Sequence, residues 1–189
     1  QRQMCIRDSI CDKGISLGRD YDKSETAWRT VVWDKQTRQF YGVDESATIL
    51  FSFNPRSGAD GEVRRLGQLA IPELADKREV PYATLSLAIG CDRKLYYGAA
   101  GREFDYSGSA GLATSHLITY DLNTGRTEDI GEMLLADGSR VFGTNAADTG
   151  PDGTIYMVGA IEVRPPPGKP IEAAGKIGDA YYRLALLIY

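Results

Sequence analysis

Arginine, tyrosine and histidine together are the parts of a β-elimination site on a uronate. Five residues supply them here: Tyr82, Arg102, Tyr106, His116 and Arg140. A guanidinium neutralises the sugar carboxylate and so acidifies the adjacent C–H. A phenol or imidazole then takes that proton and returns one to the leaving oxygen. Arg102 or Arg140 would do the first task and Tyr106 or His116 the second, with Tyr82 beside them. His116 is the only histidine in the chain, so no histidine cluster is available to a metal, and no cofactor is expected. The surrounding charge is mixed: Lys77 and Arg78 stand among Glu73, Asp76 and Glu79, and Arg102 is outnumbered by Glu103 and Asp105.

Each of these residues also has a plainer explanation. His116 opens an apolar run and could be a structural or solvated side chain of a strand. Tyr96, Tyr97 and Tyr156 read as packing residues that recur once per repeat. Asp148 and Asp152 lack calcium-ligand spacing and suit turns. Gly108-Ser109-Ala110-Gly111 does not lead from a strand into a helix, which argues against a phosphate loop. No nucleophile elbow and no Cys/His pair is visible. Cys11 and Cys91, 80 residues apart, read as plain buried or half-buried thiols.

The elements that must position the site are legible as repeats. Trp33 to Gly42, Gly90 to Gly98 and Gly150 to Met157 each run through a polar turn into an apolar-Tyr pair. Pro151-Asp152-Gly153 is such a turn, because Pro presets φ and Gly accepts a positive one. A second motif follows: Leu50 to Gly58 matches Leu117 to Gly125, and both continue into a short strand ending Leu66-Gly67 or Ile130-Gly131. Leu186-Leu187-Ile188-Tyr189 repeats its first half. No stretch keeps a 3.6-residue period, although Ile71 to Ala75 could form one helical turn.

These units predict an all-β fold, a partial β-propeller of about three four-stranded antiparallel blades over 28–69, 82–133 and 141–189, the last lacking its final strand. In such a meander the first-to-second and third-to-fourth strand turns share one end. The other connections share the opposite end. The long segments 70–80, 101–115 and 164–179 all fall at that opposite end, where binding residues gather on a rigid scaffold.

Tyr120-Asp121-Leu122-Asn123-Thr124-Gly125 and Pro151-Asp152-Gly153 resemble the hairpins of bacterial propellers. That class includes virginiamycin-lyase-like and gluconolactonase-like proteins, ulvan and oligogalacturonate lyases, and non-enzymatic members. The resemblance spans residues 28–189 and implies the fold. Its motifs specify turns and do not choose among these activities.

Residues 1–9 resemble the translation of a sequencing-library adapter and are set apart as a scar, followed by an irregular lead-in over 10–27. On that basis the chain is expected to be a fragment, with a periplasmic or extracellular setting. The net charge of −4 gives no footprint for nucleic acid, and no apolar run reaches a membrane span. The expected function is non-catalytic binding of an acidic polysaccharide, an oligosaccharide or a protein partner at the long-loop end. A uronate lyase is the alternative.

Overall fold

The computed structural model describes residues 28–44, 49–59, 61–68, 82–83, 86–100, 115–163, 175–177 and 180–189. Among them every regular element is a strand and every pairing is antiparallel. None is a helix long and apolar enough to cross a membrane. The strands form three separate sheets.

The first sheet runs β1 (Trp28–Asp34), β2 (Gln39–Asp44), β3 (Ile49–Asn54) and β4 (Glu62–Gln68) in chain order. In the second, β5 (Tyr82–Ala83) and β6 (Ala88–Ile89) both pair with β7 (Lys94–Ala100), followed by β8 (His116–Asp121) and β9 (Thr127–Glu132). The third contains β10 (Val141–Thr149), β11 (Ile155–Val163), β12 (Gly175–Ile177) and β13 (Ala180–Ile188), in the order β10-β11-β13-β12.

The third sheet departs from the expected three strands. Its fourth place is filled from the connection: β12 pairs with the first residues of β13, Gly175 opposite Tyr182 and Ile177 opposite Ala180. The remaining length of β13 has no outer neighbour among the described residues. The expected helical turn at 71–75 and residues 1–27 lie outside the described residues.

The turns form for the reasons their sequences suggest. Asp121 accepts the backbone N–H groups of Asn123 (2.8 Å) and Thr124 (2.9 Å), and Gly125 follows with φ 72°. Asn54 accepts from Arg56 N at 3.0 Å, and Asp152 from Thr154 N at 3.1 Å. A side-chain oxygen that captures the N–H two residues on makes the reversal local. Cys91 lies in the corresponding turn of the second sheet and is exposed rather than buried.

The sheets pack face to face in chain order. Tyr41, Val43 and Leu50 of the first sheet share a buried cluster with Leu95, Tyr97, Ile118 and Tyr120 of the second. The second sheet's other face sets Ala88 and Leu117 against Val141, Ile155, Met157 and Leu187 of the third. Alternation explains this, since successive strand residues face opposite sides, so a sheet buried on both faces needs apolar residues at odd and even positions alike. In β8 the four residues from Leu117 to Tyr120 are all buried.

One ion pair ties the first sheet to the second at their short turns. Arg93 Nη1 and Nη2 donate to Asp34 Oδ1 and Oδ2 at 2.9 and 2.8 Å. Asp34, at the end of β1, is buried and also accepts from Thr37 Oγ1 and Gln36 N. Burial works to raise its carboxyl pKa. The hydrogen bonds from Arg93, Thr37 and Gln36 together outweigh burial and hold it well below the usual carboxylate range.

Candidate functional site

His116 begins β8 at the end of the second sheet where the long connections lie. Its backbone row is Ala83, Ala99, His116, Glu132. The ring is half-buried, and Nδ1 lies 2.8 Å and 3.1 Å from the two carboxylate oxygens of Asp129. A carboxylate only accepts, so this contact assigns the ring proton to Nδ1 and leaves the Nε2 lone pair as the ring's acceptor in the neutral form. An imidazole held this way is an oriented base or hydrogen-bond acceptor.

A β-bulge brings the two side chains together. In the β8–β9 pairing Leu117 opposes Gly131 and Ile118 opposes Asp129, leaving Ile130 as the extra residue. Gly131 takes φ 121° there, a backbone conformation that residues with a Cβ avoid. The N–H of Gly131 donates to Asp129 Oδ1 at 2.8 Å, so the bulge itself fixes the carboxylate. The first sheet has the same bulge: Leu50 opposes Gly67, Phe51 opposes Arg65, and Gly67 has φ 148°. The repeated Leu66-Gly67 and Ile130-Gly131 pairs mark this feature in the sequence. The His116 and Asp129 positions correspond to Ile49 and Arg65 in the first sheet. The first sheet thus builds the same bulge without a histidine–carboxylate pair.

Of the other expected site residues, Arg140 comes near by backbone. Ser115 N donates to Val141 O at 2.6 Å, so His116 and Arg140 each stand one residue from a shared hydrogen bond. Arg140 is exposed, and its guanidinium has no carboxylate partner among the described residues. Tyr82 pairs with Ala100, one register row from Ala99 and His116 and separated from β8 by β7. Arg102 and Tyr106 lie outside the described residues. Asp129 was not singled out from sequence. Its signal was available only as a difference between repeats, an acidic residue before Ile130-Gly131 where Arg65 precedes Leu66-Gly67. Arg183, 3.8 Å from Asp137 through Nη2, adds an exposed guanidinium to the link between the second and third sheets.

Glu132 opposes His116 across the strand pair, which puts a second acidic residue in its backbone row. Among the described residues no group of three or more His, Cys, Asp and Glu could hold a metal ion. A shallow hollow of about 280 Å³, lined by Lys94, Thr119, Asp121, Thr124, Arg126 and Glu128, lies at the opposite end, beside the short turns.

The chain matches no protein-family model and no curated protein. Its chemistry rests on its own residues.

Ser115 adds a test of the local energetics. It is fully buried beside His116, and its hydroxyl oxygen has no hydrogen-bond partner among the described residues. A buried hydroxyl without a partner carries a desolvation cost of about 1–3 kcal/mol. Ser115→Ala should leave the urea unfolding midpoint unchanged or raise it. A clear fall would mean that the hydroxyl is satisfied in solution.

Proposed function

We propose that the three sheets are propeller blades forming a binding scaffold, and that the long-connection end of the second sheet takes an acidic oligosaccharide through His116 and Arg140. The observation that carries this is the His116–Asp129 pair, which the first sheet lacks at the equivalent positions although it builds the same bulge. A uronate offers two kinds of group. Its carboxylate suits the guanidinium of Arg140, which has no carboxylate partner among the described residues; a guanidinium can meet a planar anion through two parallel hydrogen bonds. Its hydroxyls suit the Nε2 acceptor of His116 and the Glu132 carboxylate. Simple anions would use the first group alone, and the two carboxylates beside His116 disfavour them.

A second activity, β-elimination on a uronate polymer, is favoured by the same pair. Nδ1 is tied to a carboxylate and Nε2 is left to accept a proton, which is the arrangement of an oriented general base. Isothermal titration calorimetry with an oligogalacturonate tests the binding proposal. Binding is expected in the wild-type chain, and His116→Ala should weaken it about tenfold or more, the loss of one hydrogen bond at a partly buried site. No heat of binding, or equal affinity in the variant, would remove His116 from the site. A rise in ultraviolet absorbance during the same incubation would identify elimination, because that step creates a conjugated double bond.

A further inference from the structure

The hollow of about 280 Å³ on the second sheet lies at the short-turn end, away from His116. Two register rows build it. Tyr96, Thr119 and Glu128 stand side by side in one, and Lys94 and Asp121 in the next but one, where Asp121 N donates to Arg126 O. Residues two apart on a strand share a face. Thr119 therefore lies on the face by which Leu117 enters the junction with the third sheet, and the charged residues of the two rows surround it.

The lining carries both signs of charge, and part of it is uncommitted. Thr119 is 2% exposed, and its hydroxyl has no hydrogen-bond partner among the described residues. Unlike Ser115 Oγ, the Thr119 oxygen is not sealed off, so a ligand in the hollow can reach it. Arg126 is exposed, and its guanidinium has no carboxylate partner among the described residues. Lys94 Nζ lies 3.6 Å from Glu128 Oε2, a solvent-screened pair that leaves the carboxylate open to a second cation. The backbone N–H groups of Thr124 and Asn123 hold the Asp121 carboxyl below the usual carboxylate range, so it is charged at neutral pH.

The first sheet arranges the same positions differently. Ser52 stands where Thr119 does and Arg64 where Glu128 does, each by register. Arg64 is satisfied within its own strand by Glu62 at 2.8 Å. Asn54 makes the turn that Asp121 makes, accepting the N–H two residues on, but through a neutral amide. The two acidic groups of the hollow thus belong to the second sheet, and the first sheet forms the same reversal without them.

We propose that this hollow is a second binding site, for a small zwitterion of the α-amino-acid class. The Arg126 guanidinium takes the ligand carboxylate through two parallel hydrogen bonds. Glu128 and Asp121 take the ammonium group, and the Thr119 hydroxyl meets the ligand from the buried side. A plain anion at Arg126 would have two carboxylates beside it. A plain cation at those carboxylates would have Lys94 and Arg126 beside it. A ligand that carries both signs a few atoms apart is attracted by both sets. The volume lies at the lower edge of the range for ligand pockets, about 300–1,000 Å³, which suits a ligand of a few heavy atoms. This site is independent of the one at His116.

A glycine titration of the full chain, followed by amide NMR shifts, tests the proposal. The signals of Thr119, Thr124, Arg126 and Glu128 should move to saturation while that of His116 stays in place. Acetate and methylamine each carry one of the two charges, and each should bind about tenfold more weakly or worse, the loss of one charged hydrogen bond. Arg126→Gln and Glu128→Gln, both at exposed positions, should each weaken glycine binding by a similar factor. Thr119→Val should also weaken it, with the urea midpoint unchanged or raised, because the hydroxyl removed has no partner inside the protein. A lowered midpoint in Thr119→Val would give that hydroxyl to folding and take it out of the site. Absence of saturable shifts with glycine would overturn the proposal, as would full affinity in both charge variants. Acetate that binds as tightly as glycine would overturn the zwitterion and leave an anion site.

Discussion

Replacing Arg93 by Ala is expected to lower the unfolding free energy by about 3–5 kcal/mol, the cost of leaving a buried charge without its partner. The carboxylate left behind is Asp34, buried between two sheets and bonded through both oxygens to the arginine. The pair joins two sheets that are otherwise held mainly by apolar contacts, so its loss should loosen the junction as well. The pH dependence carries the same signature. The folded-state pKa of Asp34 is depressed below its unfolded value, so its contribution is present above about pH 4 and is lost as pH falls through the lower folded value. Wild-type stability should therefore drop on acidification below about pH 4. Arg93→Ala should be weaker at neutral pH and lose less on acidification. Equal denaturation midpoints for the two proteins at pH 7 would show that the pair contributes nothing. Asp34→Asn with Arg93 retained should also destabilise, by removing the charge that the guanidinium is placed to meet.

The second large effect is expected at Leu117→Ala, which removes a buried side chain from the junction between the second and third sheets. Truncations of this kind cost about 2–5 kcal/mol, according to how far the cavity collapses. Leu117 shares its buried cluster with Met133, Val141, Met157 and Leu187, and the β11–β13 ladder that carries Met157 and Leu187 runs without a break, so collapse is restricted and the upper half of that range is expected. Leu186→Ala is the internal control. It is the same residue at the same register position, but it faces outward. Its effect on the unfolding free energy should stay within about 0.5 kcal/mol, as for an exposed side chain. Equal losses at Leu117 and Leu186 in dilute solution would mean that the face-to-face order of the sheets is wrong.

Much of the fold was legible because its signals are local. The Asp121 to Gly125 and Pro151 to Gly153 turns are built from hydrogen bonds two or three residues long, and short-range chemistry survives in the sequence alone. The apolar-Tyr pairs at Phe40-Tyr41, Leu95-Tyr96 and Ile155-Tyr156 open β2, β7 and β11 at equivalent positions. The strand β12 was not legible: three residues of a long connection find an edge only because the start of β13 offers one. Nor was the Asp34–Arg93 pair, which joins residues 59 apart through a side chain on a turn. At the site, His116 stood out as the only histidine. Its partner Asp129 did not, because a bulge two residues later decides which strand residue sits beside the ring. Arg140 was found for its place ahead of β10, and the backbone bond between Ser115 and Val141 explains why that place lies near His116.

A single histidine makes the central claim directly measurable. The imidazole C–H protons of His116 give one set of resonances in the tag-free chain, and they report on the ring that Asp129 orients. On titration with an oligogalacturonate, these signals should shift progressively to saturation, and Asp129→Asn should weaken the response. Resonances that stay unmoved at saturating ligand, or shifts confined to residues around the Lys94–Glu128 hollow, would contradict a binding site at the long-connection end.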